Sequence, residues 1–269
     1  MASYLVTGAN RGIGFGYLGH ISKDPSNTVV GIVRDKAVTD KKVAEELGDR
    51  RNIHIVEAQI TDYESLKNTV ELVSKLTGGS LDYIIGNAAT TAKNLAIGDL
   101  AQDRQVFLEE WNKIMNVNVI ANIDLFTLFL PLIQKGKAKK VIYISTGMAD
   151  IDMISEFQVW VDPLYSISKA AGNAVVAKFD AQYRKEGILF MSISPGLVAT
   201  SMNTAPTDPQ EIEALTAMFK AFQAYAPDWK GAITVDESVT AVLKVIHEAS
   251  IEKGNGGAFL SHWGNKQWL

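Results

Sequence analysis

The chain has 269 residues, of which 47% are hydrophobic and 21% charged, and its formal net charge is −4. This composition is sufficient for a packed core and argues against disorder, while the small negative charge leaves no basic surface for nucleic acid. The absence of cysteine excludes disulfides, thiolate nucleophiles and cysteine-ligated metal sites.

The N-terminus enters directly into an apolar run, without the basic region that precedes the core of a signal peptide. The most apolar segment of the chain, Ile120–Ile133, contains Asn122, Asp124 and Pro131 and is too short to span a bilayer. We therefore expect no membrane partner, and cytoplasmic is the default localisation.

Short β-branched runs alternate with longer segments of helical period along the whole chain. Seven runs predict strands: Tyr4–Thr7, Thr28–Val33, Ile53–Ala58, Leu81–Gly86, Lys140–Ser145, Leu189–Ser194 and Ala258–Ser261. The segments between them predict helices near residues 13–23, 40–48, 63–76, 108–134, 165–186, 209–225 and 236–250. Most strands are nearly continuous apolar runs, as expected when helices cover both faces of a sheet. The alternation predicts an α/β fold with a doubly wound parallel sheet of about seven strands.

A glycine-rich loop, Thr7–Gly14, connects the first strand to the first helix and reads Thr-Gly-Ala-Asn-Arg-Gly-Ile-Gly. Glycine lets the backbone turn tightly and approach a pyrophosphate, whose charge is favoured at a helix N-terminus. The alternative is a tight turn whose glycines serve packing only. The position at the first strand–helix junction favours phosphate binding.

Two Tyr-x₃-Lys pairs occur, Tyr63 with Lys67 and Tyr165 with Lys169. Each spacing places both side chains on one face of a helix. An isolated phenol has a pKa of about 10, so a neighbouring ammonium is needed to stabilise the phenolate and to bring proton transfer nearer to neutral pH. The first pair follows the third strand and is expected to be an exposed face, whereas the second pair opens the helix after the fifth strand.

Together these motifs resemble those of the short-chain dehydrogenase/reductase superfamily, whose fingerprint is Thr-Gly-x₃-Gly-x-Gly, and the resemblance covers nearly the whole chain. A finer resemblance, to the fungal norsolorinic-acid-ketoreductase-like branch and to small carbonyl reductases, rests on Asp162–Tyr165 and on the tail Gly264–Trp268. The resemblance implies that residues 1–269 form one NADP(H)-binding Rossmann domain. It also implies an NADPH-dependent carbonyl reductase or alcohol dehydrogenase that acts on a small-molecule ketone or secondary alcohol, and the finer resemblance suggests an aromatic or bulky ketone.

The same resemblance makes Tyr165 the acid/base and Lys169 the group that tunes it and holds the nicotinamide ribose. It assigns cofactor contacts to residues in four loops: Gly8, Asn10, Arg11, Gly12, Ile13 and Gly14; Gln59 and Ile60; Asn87 and Ala88; Pro195, Gly196, Val198 and Thr200. Gln59 departs from the acid usual in the family, and the motif at Asn87 differs at two of its four positions.

The end of the second strand bears on the choice between NADP and NAD. An acidic side chain there would hold the ribose 2′-OH of NAD, but the chain has Val33 followed by Arg34. Arg34, together with Arg11, suits the 2′-phosphate of NADP(H), which is the predicted cofactor. Asp35 is interpreted as solvated or paired with Arg34. The alternative is that both arginines are surface residues without a ligand.

The family places a hydroxyl beside the substrate oxygen, and Ser145 and Thr146 are the candidates at the end of the fifth strand. Relatives that read Ile-Ser-Ser usually use the second hydroxyl, which favours Thr146, but the longer segment before Tyr165 leaves a slight preference for Ser145. Either can donate a hydrogen bond to an oxyanion, or cap the strand end instead. Asn118 matches the family's helix asparagine that ties backbone and water to the lysine; a plain buried hydrogen bond is its alternative.

The segment at about 196–230 is expected to form a substrate lid. An apolar pocket beneath it would be lined by Met148, Met153, Phe157, Trp160, Met202, Met218 and Phe222, although such residues more often belong to a core. The family leads us to expect a homodimer or tetramer.

The four histidines show no ligand spacing, so no metal is expected. A non-enzymatic NADP-sensing regulator of the same fold is the alternative function, and the Tyr165–Lys169 pair counts against it. An epimerase or dehydratase would need a larger C-terminal domain.

Overall fold

Seven strands form one parallel sheet in the computed structural model, which describes residues 1–92, 95–200 and 208–269. They are β1 (Ser3–Thr7), β2 (Thr28–Val33), β3 (Ile53–Glu57), β4 (Tyr83–Gly86), β5 (Lys140–Ile144), β6 (Leu189–Ser194) and β7 (Phe259–Ser261). Their order across the sheet is β3-β2-β1-β4-β5-β6-β7. The first three strands follow one another in one direction and the last four in the other, so the strand order reverses between β1 and β4. The predicted α/β fold with a doubly wound parallel sheet is confirmed.

Helices connect the strands and cover both faces of the sheet. The α-helices are α1 (Gly12–Ile21), α2 (Lys36–Leu47), α3 (Tyr63–Lys67), α4 (Thr69–Leu76), α5 (Ile97–Leu100), α6 (Arg104–Met115), α7 (Ala121–Ile133), α8 (Ile151–Phe157), α9 (Pro163–Tyr183), α10 (Pro209–Tyr225) and α11 (Val235–Glu248). A π turn at Asn116–Ile120 joins α6 to α7, and 3₁₀ turns lie at Gly147–Ala149 and Arg184–Glu186.

Local residues explain where several helices begin. The Asp35 carboxylate accepts a hydrogen bond from Val38 N, so α2 starts at Lys36 rather than near residue 40. Pro163 occupies the first turn of α9, two residues before Tyr165, where its missing N–H costs nothing. The sequence does not predict α5 or α8, because helices this short show little periodicity.

Both faces of the sheet are buried. In β1, Val6 belongs to an apolar cluster with Leu18 of α1 and Val242 of α11, whereas Leu5 belongs to a second cluster with Phe129 of α7. Successive side chains of a strand point to opposite faces, so each strand must be apolar on both sides. Burial of one such side chain contributes roughly 1.5–3 kcal/mol.

The helical backbone is continuous from Arg104 to Ile133. In the described part of the chain this is the one run long and apolar enough to cross a membrane, with a mean hydropathy of 1.6. The sequence prediction considered only Ile120–Ile133, and the complete helix is longer than that segment. Half of the most apolar stretch of this helix is buried inside the structure, as in a helix that packs on a core. A single helix of this kind is weak evidence for a membrane-spanning segment.

The carboxyl ends of the strands position the predicted site. The loops that follow β1, β2, β4, β5 and β6 all leave the same edge of the sheet, because the strands are parallel. β1 and β4 are the neighbours at which the strand order reverses. In sheets of this kind, ligands bind in the crevice at that reversal.

Candidate active site

A cleft of about 410 Å³ opens at this edge of the sheet. The predicted site residues that line it are Gly8, Asn10, Arg11, Gly12, Ile13, Arg34, Gln59, Ile60, Asn87, Ala88, Ser145, Tyr165, Lys169, Pro195 and Thr200. The predicted residues that do not line it are Gly14, Asn118, Thr146, Gly196 and Val198. One cavity therefore contains the glycine loop, both arginines and the Tyr–Lys pair.

One wall of the cleft is not predicted from the sequence. Lys113 and Val117 of the long helix line it together with Thr61, Thr90 and Thr91. Lys113 and Val117 are four residues apart and therefore share a helical face. The sequence contains that spacing but does not say which face of the helix meets the cleft.

The glycine loop has the shape of a phosphate cradle. Gly8 has a φ of +65°, which L side chains rarely adopt, and a Cβ on Gly14 would overlap the carbonyl oxygen of Gly8. Arg11 precedes α1 and makes no side-chain cap, so its side chain leaves the first N–H groups of the helix to a ligand. These residues fit the pyrophosphate of a dinucleotide.

Thr7 connects the loops after β1 and β4. Its Oγ1 accepts hydrogen bonds from Asn87 N at 3.1 Å and Ala88 N at 3.0 Å. The Asn87 side chain returns a bond from Nδ2 to Thr7 O at 2.9 Å. The two loops that flank the strand reversal are thus held together, and Asn87 and Ala88 are presented to the cleft.

The two arginines lie exposed at the edge of the cleft, and neither makes an ion pair among the residues described here. Asp35 is not paired with Arg34, because its carboxylate caps α2 through Val38 N at 2.9 Å. Of the two interpretations of Asp35, pairing with Arg34 is wrong, whereas the solvated one agrees with its exposure, and its carboxylate also caps α2. Arg11 and Arg34 thus remain available to an anionic ligand.

Lys169 is buried beside Tyr165 on the first turns of α9. Its Nζ donates a hydrogen bond to Ile144 O at 2.6 Å and lies 5.8 Å from the centre of the Tyr165 ring. A second ring, that of Tyr143, lies 4.6 Å from Nζ. Both members of the pair line the cleft.

The protonation of this pair differs from the sequence expectation. Burial raises the pKa of Tyr165 above its ordinary value, with a further contribution from the charge of Asp162. Burial also lowers the pKa of Lys169 to about 7. The expected lowering of the phenol pKa is absent, because desolvation outweighs the attraction of an ammonium that is directed at Ile144 O.

The other Tyr-x₃-Lys pair lies at the surface. Tyr63 is 46% exposed, and Lys67 pairs with Glu64 at 3.3 Å within α3. Identical spacing therefore yields a solvated face in one helix and a cleft wall in another.

Ser145 and Thr146 have different surroundings at the end of β5. Ser145 Oγ is shut off from solvent and has no hydrogen-bond partner, although the residue lines the cleft. Thr146 is half-buried, and its Oγ1 accepts a hydrogen bond from Met148 N at 3.3 Å as the cap of the 3₁₀ turn. That bond uses a lone pair of the Thr146 hydroxyl and leaves its hydrogen free to donate.

Asn118 is fully buried in the π turn of the long helix. Its side chain exchanges two hydrogen bonds with the backbone of Thr90, both at 2.9 Å, and Nδ2 also donates to Ser168 Oγ. The backbone carbonyl oxygen of Asn118 accepts a hydrogen bond from the Tyr143 hydroxyl at 2.9 Å. Asn118 therefore connects a cleft loop, α9 and β5 without lining the cleft itself.

The segment after β6 runs along the cleft. Val198 forms a parallel bridge with Ile233, while Thr200 lines the cleft close to Gly12. Met202 and the rest of 201–207 lie outside the described residues. The remainder of the expected lid contains α10, which packs against α8.

The predicted pocket residues mostly belong to one apolar cluster. Met148, Met153 and Phe222 are buried in it with Trp268, and Phe157 and Met218 pack against it. Trp160 is instead 42% exposed. The cluster joins α8, α10 and the C-terminal tail beside the end of β5.

Comparison with known proteins agrees with this architecture. Residues 3–211 match the family model described as short chain dehydrogenase. The chain is 49% identical to the short chain dehydrogenase virK of Hypocrea virens and 46% identical to the short-chain dehydrogenase/reductase iacC of Pestalotiopsis fici. In both cases the match covers 100% of this chain and 100% of the relative.

A solved structure with the same fold is the NADPH-bound carbonyl reductase from chicken fatty liver. It is 29% identical, the match covers 98% of each chain, and the TM-score is 0.79. The family model and both fungal relatives confirm the resemblance drawn from the glycine loop and the Tyr165–Lys169 pair. The chain belongs to the short-chain dehydrogenase/reductase family of oxidoreductases, which bind a nicotinamide cofactor.

Proposed function

We propose that this chain is an NADPH-dependent carbonyl reductase that interconverts a ketone and a secondary alcohol. The observation that carries the proposal is that Tyr165 and Lys169 line the same cleft as the glycine loop. The fit of that loop to a pyrophosphate and the likeness to a carbonyl reductase support it. A regulator that only senses NADP has no use for the Tyr–Lys pair and is not favoured.

The proposed mechanism assigns each step on the protein to a residue. The cofactor, when bound along the glycine loop, supplies the hydride for reduction or accepts it in oxidation. Tyr165 donates the proton to the carbonyl oxygen, since burial keeps the phenol protonated at neutral pH. Lys169 places positive charge beside the phenol as the proton leaves.

A hydroxyl from β5 completes the site by donating to the same oxygen. Ser145 lines the cleft and Thr146 lies beside it. We assign this role to Thr146, because the residue is half-buried and its hydroxyl hydrogen is free, whereas Ser145 Oγ is shut off from solvent. Ser145 then lies on the cofactor side of the cleft. This choice reverses the slight preference for Ser145 drawn from the sequence.

We assign the preference for NADPH to Arg11 and Arg34. Both side chains line the cleft and lack carboxylate partners among the described residues, and Asp35 is engaged as a helix cap. Two cations at this edge match the 2′-phosphate, which NADH lacks.

For the substrate we propose a bulky or aromatic ketone held under the lid at about 196–230. The apolar cluster of α8 and α10 beside β5 supports this class. We further propose a homodimer or tetramer located in the cytoplasm, which size-exclusion chromatography with light scattering and imaging of a tagged chain would test.

The decisive experiment follows NADPH oxidation with a panel of aromatic, bulky and small aliphatic ketones, with NADH in parallel. We expect turnover of at least one bulky ketone, and the loss of that turnover in Tyr165→Phe with NADPH binding retained. No turnover of any carbonyl, together with unchanged NADPH binding by Tyr165→Phe, would support the sensor function instead.

A further inference from the structure

Tyr143 lies next to the C-terminal end of β5 and is fully buried. Its hydroxyl donates to Asn118 O over 2.9 Å, and the centre of its ring is 4.6 Å from Lys169 Nζ. The residue thus contacts two groups of the site, although it does not line the cleft.

The fold provides a slot for this ring. A Cβ on Gly172, one turn beyond Lys169 in α9, would overlap both Cζ and the hydroxyl oxygen of Tyr143. The absence of a side chain at position 172 therefore lets the phenol pass beneath the helix. The Asn118 carbonyl holds the hydroxyl end, so the face of the ring stays directed at Lys169.

Lys169 needs such a neighbour because it is 1% exposed and makes no ion pair among the described residues. Its polar contact is the single carbonyl of Ile144. An ammonium removed from water gains more from the face of an aromatic ring than an exposed one does. The ring of Tyr143 thus replaces part of the hydration that Lys169 loses.

The charged and titratable neighbours of Lys169 are few. Tyr165 lies on its own helix, Tyr143 faces it from β5, and Lys113 of α6 is a further cation at the cleft. The packed segments of β6, the π turn and the 3₁₀ turn Gly147–Ala149 carry no titratable side chain. Asp162, just before α9, carries a charge that acts on Tyr165, and Glu110 of α6 pairs with Lys113 at 3.3 Å. The two tyrosine rings are the groups that lie closest to the ammonium itself.

We propose that Tyr143 is a positioning residue, whose ring, seated in the slot at Gly172, favours the charged form of the buried Lys169. The proposal rests on the proposed function for its kinetic part only, because the charge state of Lys169 can also be followed without turnover. Tyr165 stays the proton donor, and Tyr143 acts through Lys169.

The kinetic test compares Tyr143→Leu and Tyr143→Phe. Removal of the ring should move the alkaline limb of kcat/KM to lower pH by about one unit, whereas phenylalanine keeps the ring and should leave the limb within about 0.3 unit. Tyr17→Phe removes a buried hydroxyl with no partner in α1 and serves as the matched control. The proposal would be overturned if the alkaline limb of kcat/KM in Tyr143→Leu stayed at its wild-type pH, or if it shifted equally in both Tyr143 variants.

The second test needs no activity. The melting temperature of the cofactor-free protein is measured at pH 6 and pH 9 for Lys169→Met in the wild-type, Tyr143→Leu and Tyr143→Phe backgrounds. At pH 6, Lys169→Met should change the melting temperature more favourably in the Tyr143→Leu background than in the other two. In that background the ammonium that the substitution removes has no tyrosine or phenylalanine ring beside it. At pH 9 the difference should disappear. Equal effects in all backgrounds at pH 6 would contradict the role of Tyr143, even if the enzyme proved inactive on every ketone.

Discussion

The side-chain amide of Asn118 donates a hydrogen bond to Ser168 Oγ over 2.9 Å, which joins the long helix to α9 one residue before Lys169. The same amide group holds both backbone polar groups of Thr90, whose loop lines the cleft. One buried side chain thus fixes two walls of the site relative to each other.

Asn118→Ala should therefore reduce both stability and cofactor affinity. It leaves the N–H and C=O of Thr90 without their partner, while Ser168 Oγ keeps its bond to Tyr165 O. Unsatisfied buried groups cost about 1–3 kcal/mol each. We expect the free energy of unfolding in urea to fall by about 2–3 kcal/mol and the Kd for NADPH to rise about tenfold.

Asn122→Ala is the matched control for this change. Asn122 is buried one turn further along the same helix, and its Nδ2 donates to Asn118 O, its one partner in the part of the chain that the structure describes. We expect a smaller loss of stability, about 1 kcal/mol, with no change in NADPH affinity. Equal losses of affinity in the two variants would show that the Thr90 connection has no special role.

The roles of Ser145 and Thr146 can be separated by substitution. If Thr146 donates to the substrate oxygen, Thr146→Ala should lower kcat by about 10²-fold, as loss of one oxyanion donor does, while Thr146→Ser should recover most of it. Ser145→Ala should change kcat by less than about tenfold. Steady-state kinetics at saturating NADPH tests this, and the reverse order of effects would assign the role to Ser145.

Arg34 should determine cofactor preference. Loss of a charge-assisted contact with a phosphate costs about 1.5–3 kcal/mol, so Arg34→Ala should raise KM for NADPH by about 10–100-fold and leave KM for NADH nearly unchanged. Arg51→Ala, at an exposed arginine paired with Asp49, is the control. Equal use of NADH and NADPH by the unmodified protein would refute the assignment.

Asp162 should make stability depend on pH. Burial raises the pKa of its carboxyl to about 7, and Oδ1 has no hydrogen-bond partner. Between pH 4 and 7 the folded state holds this proton more tightly than the unfolded state does, so stability falls as pH rises through that window. The cost of the buried carboxylate is then fully present above pH 7.

Asp162→Asn should remove this effect, since asparagine tolerates the left-handed backbone at φ 48°. We expect the variant to gain about 2 kcal/mol relative to the parent at pH 8 and little at pH 4. Asp152→Asn, at an exposed position in α8, provides the comparison. Thermal unfolding across this range would contradict the prediction if both variants followed the parent curve.

Repeating local patterns were sufficient to predict the order of strands and helices. The two-sided burial of β1 appears in the sequence as a continuous apolar run, and the tight turn after it appears as glycines at fixed spacing. Both signals arise from neighbours along the chain, which is why they can be found without a structure. They located most of the cleft-lining residues.

Interactions between distant segments decided the rest. Position 35 could hold a ligand or cap a helix, and only the start of α2 at Lys36 shows that Asp35 is a cap. Likewise, Tyr63 and Tyr165 have the same spacing to a lysine, and only the packing of α9 against β5 and β6 buries Lys169 and partly buries Tyr165. Burial then shifts both pKa values of that pair away from the phenolate–ammonium state expected from spacing alone.

By itself, then, the sequence determined the parallel α/β fold, the glycine loop and the Tyr165–Lys169 pair, because each depends on residues within a few positions of one another. The tertiary structure decided the protonation of that pair, the separate surroundings of Ser145 and Thr146, and the placement of Tyr143 beneath Lys169. Desolvation and contact across strands and helices set these properties, and neither is encoded in spacing along the chain.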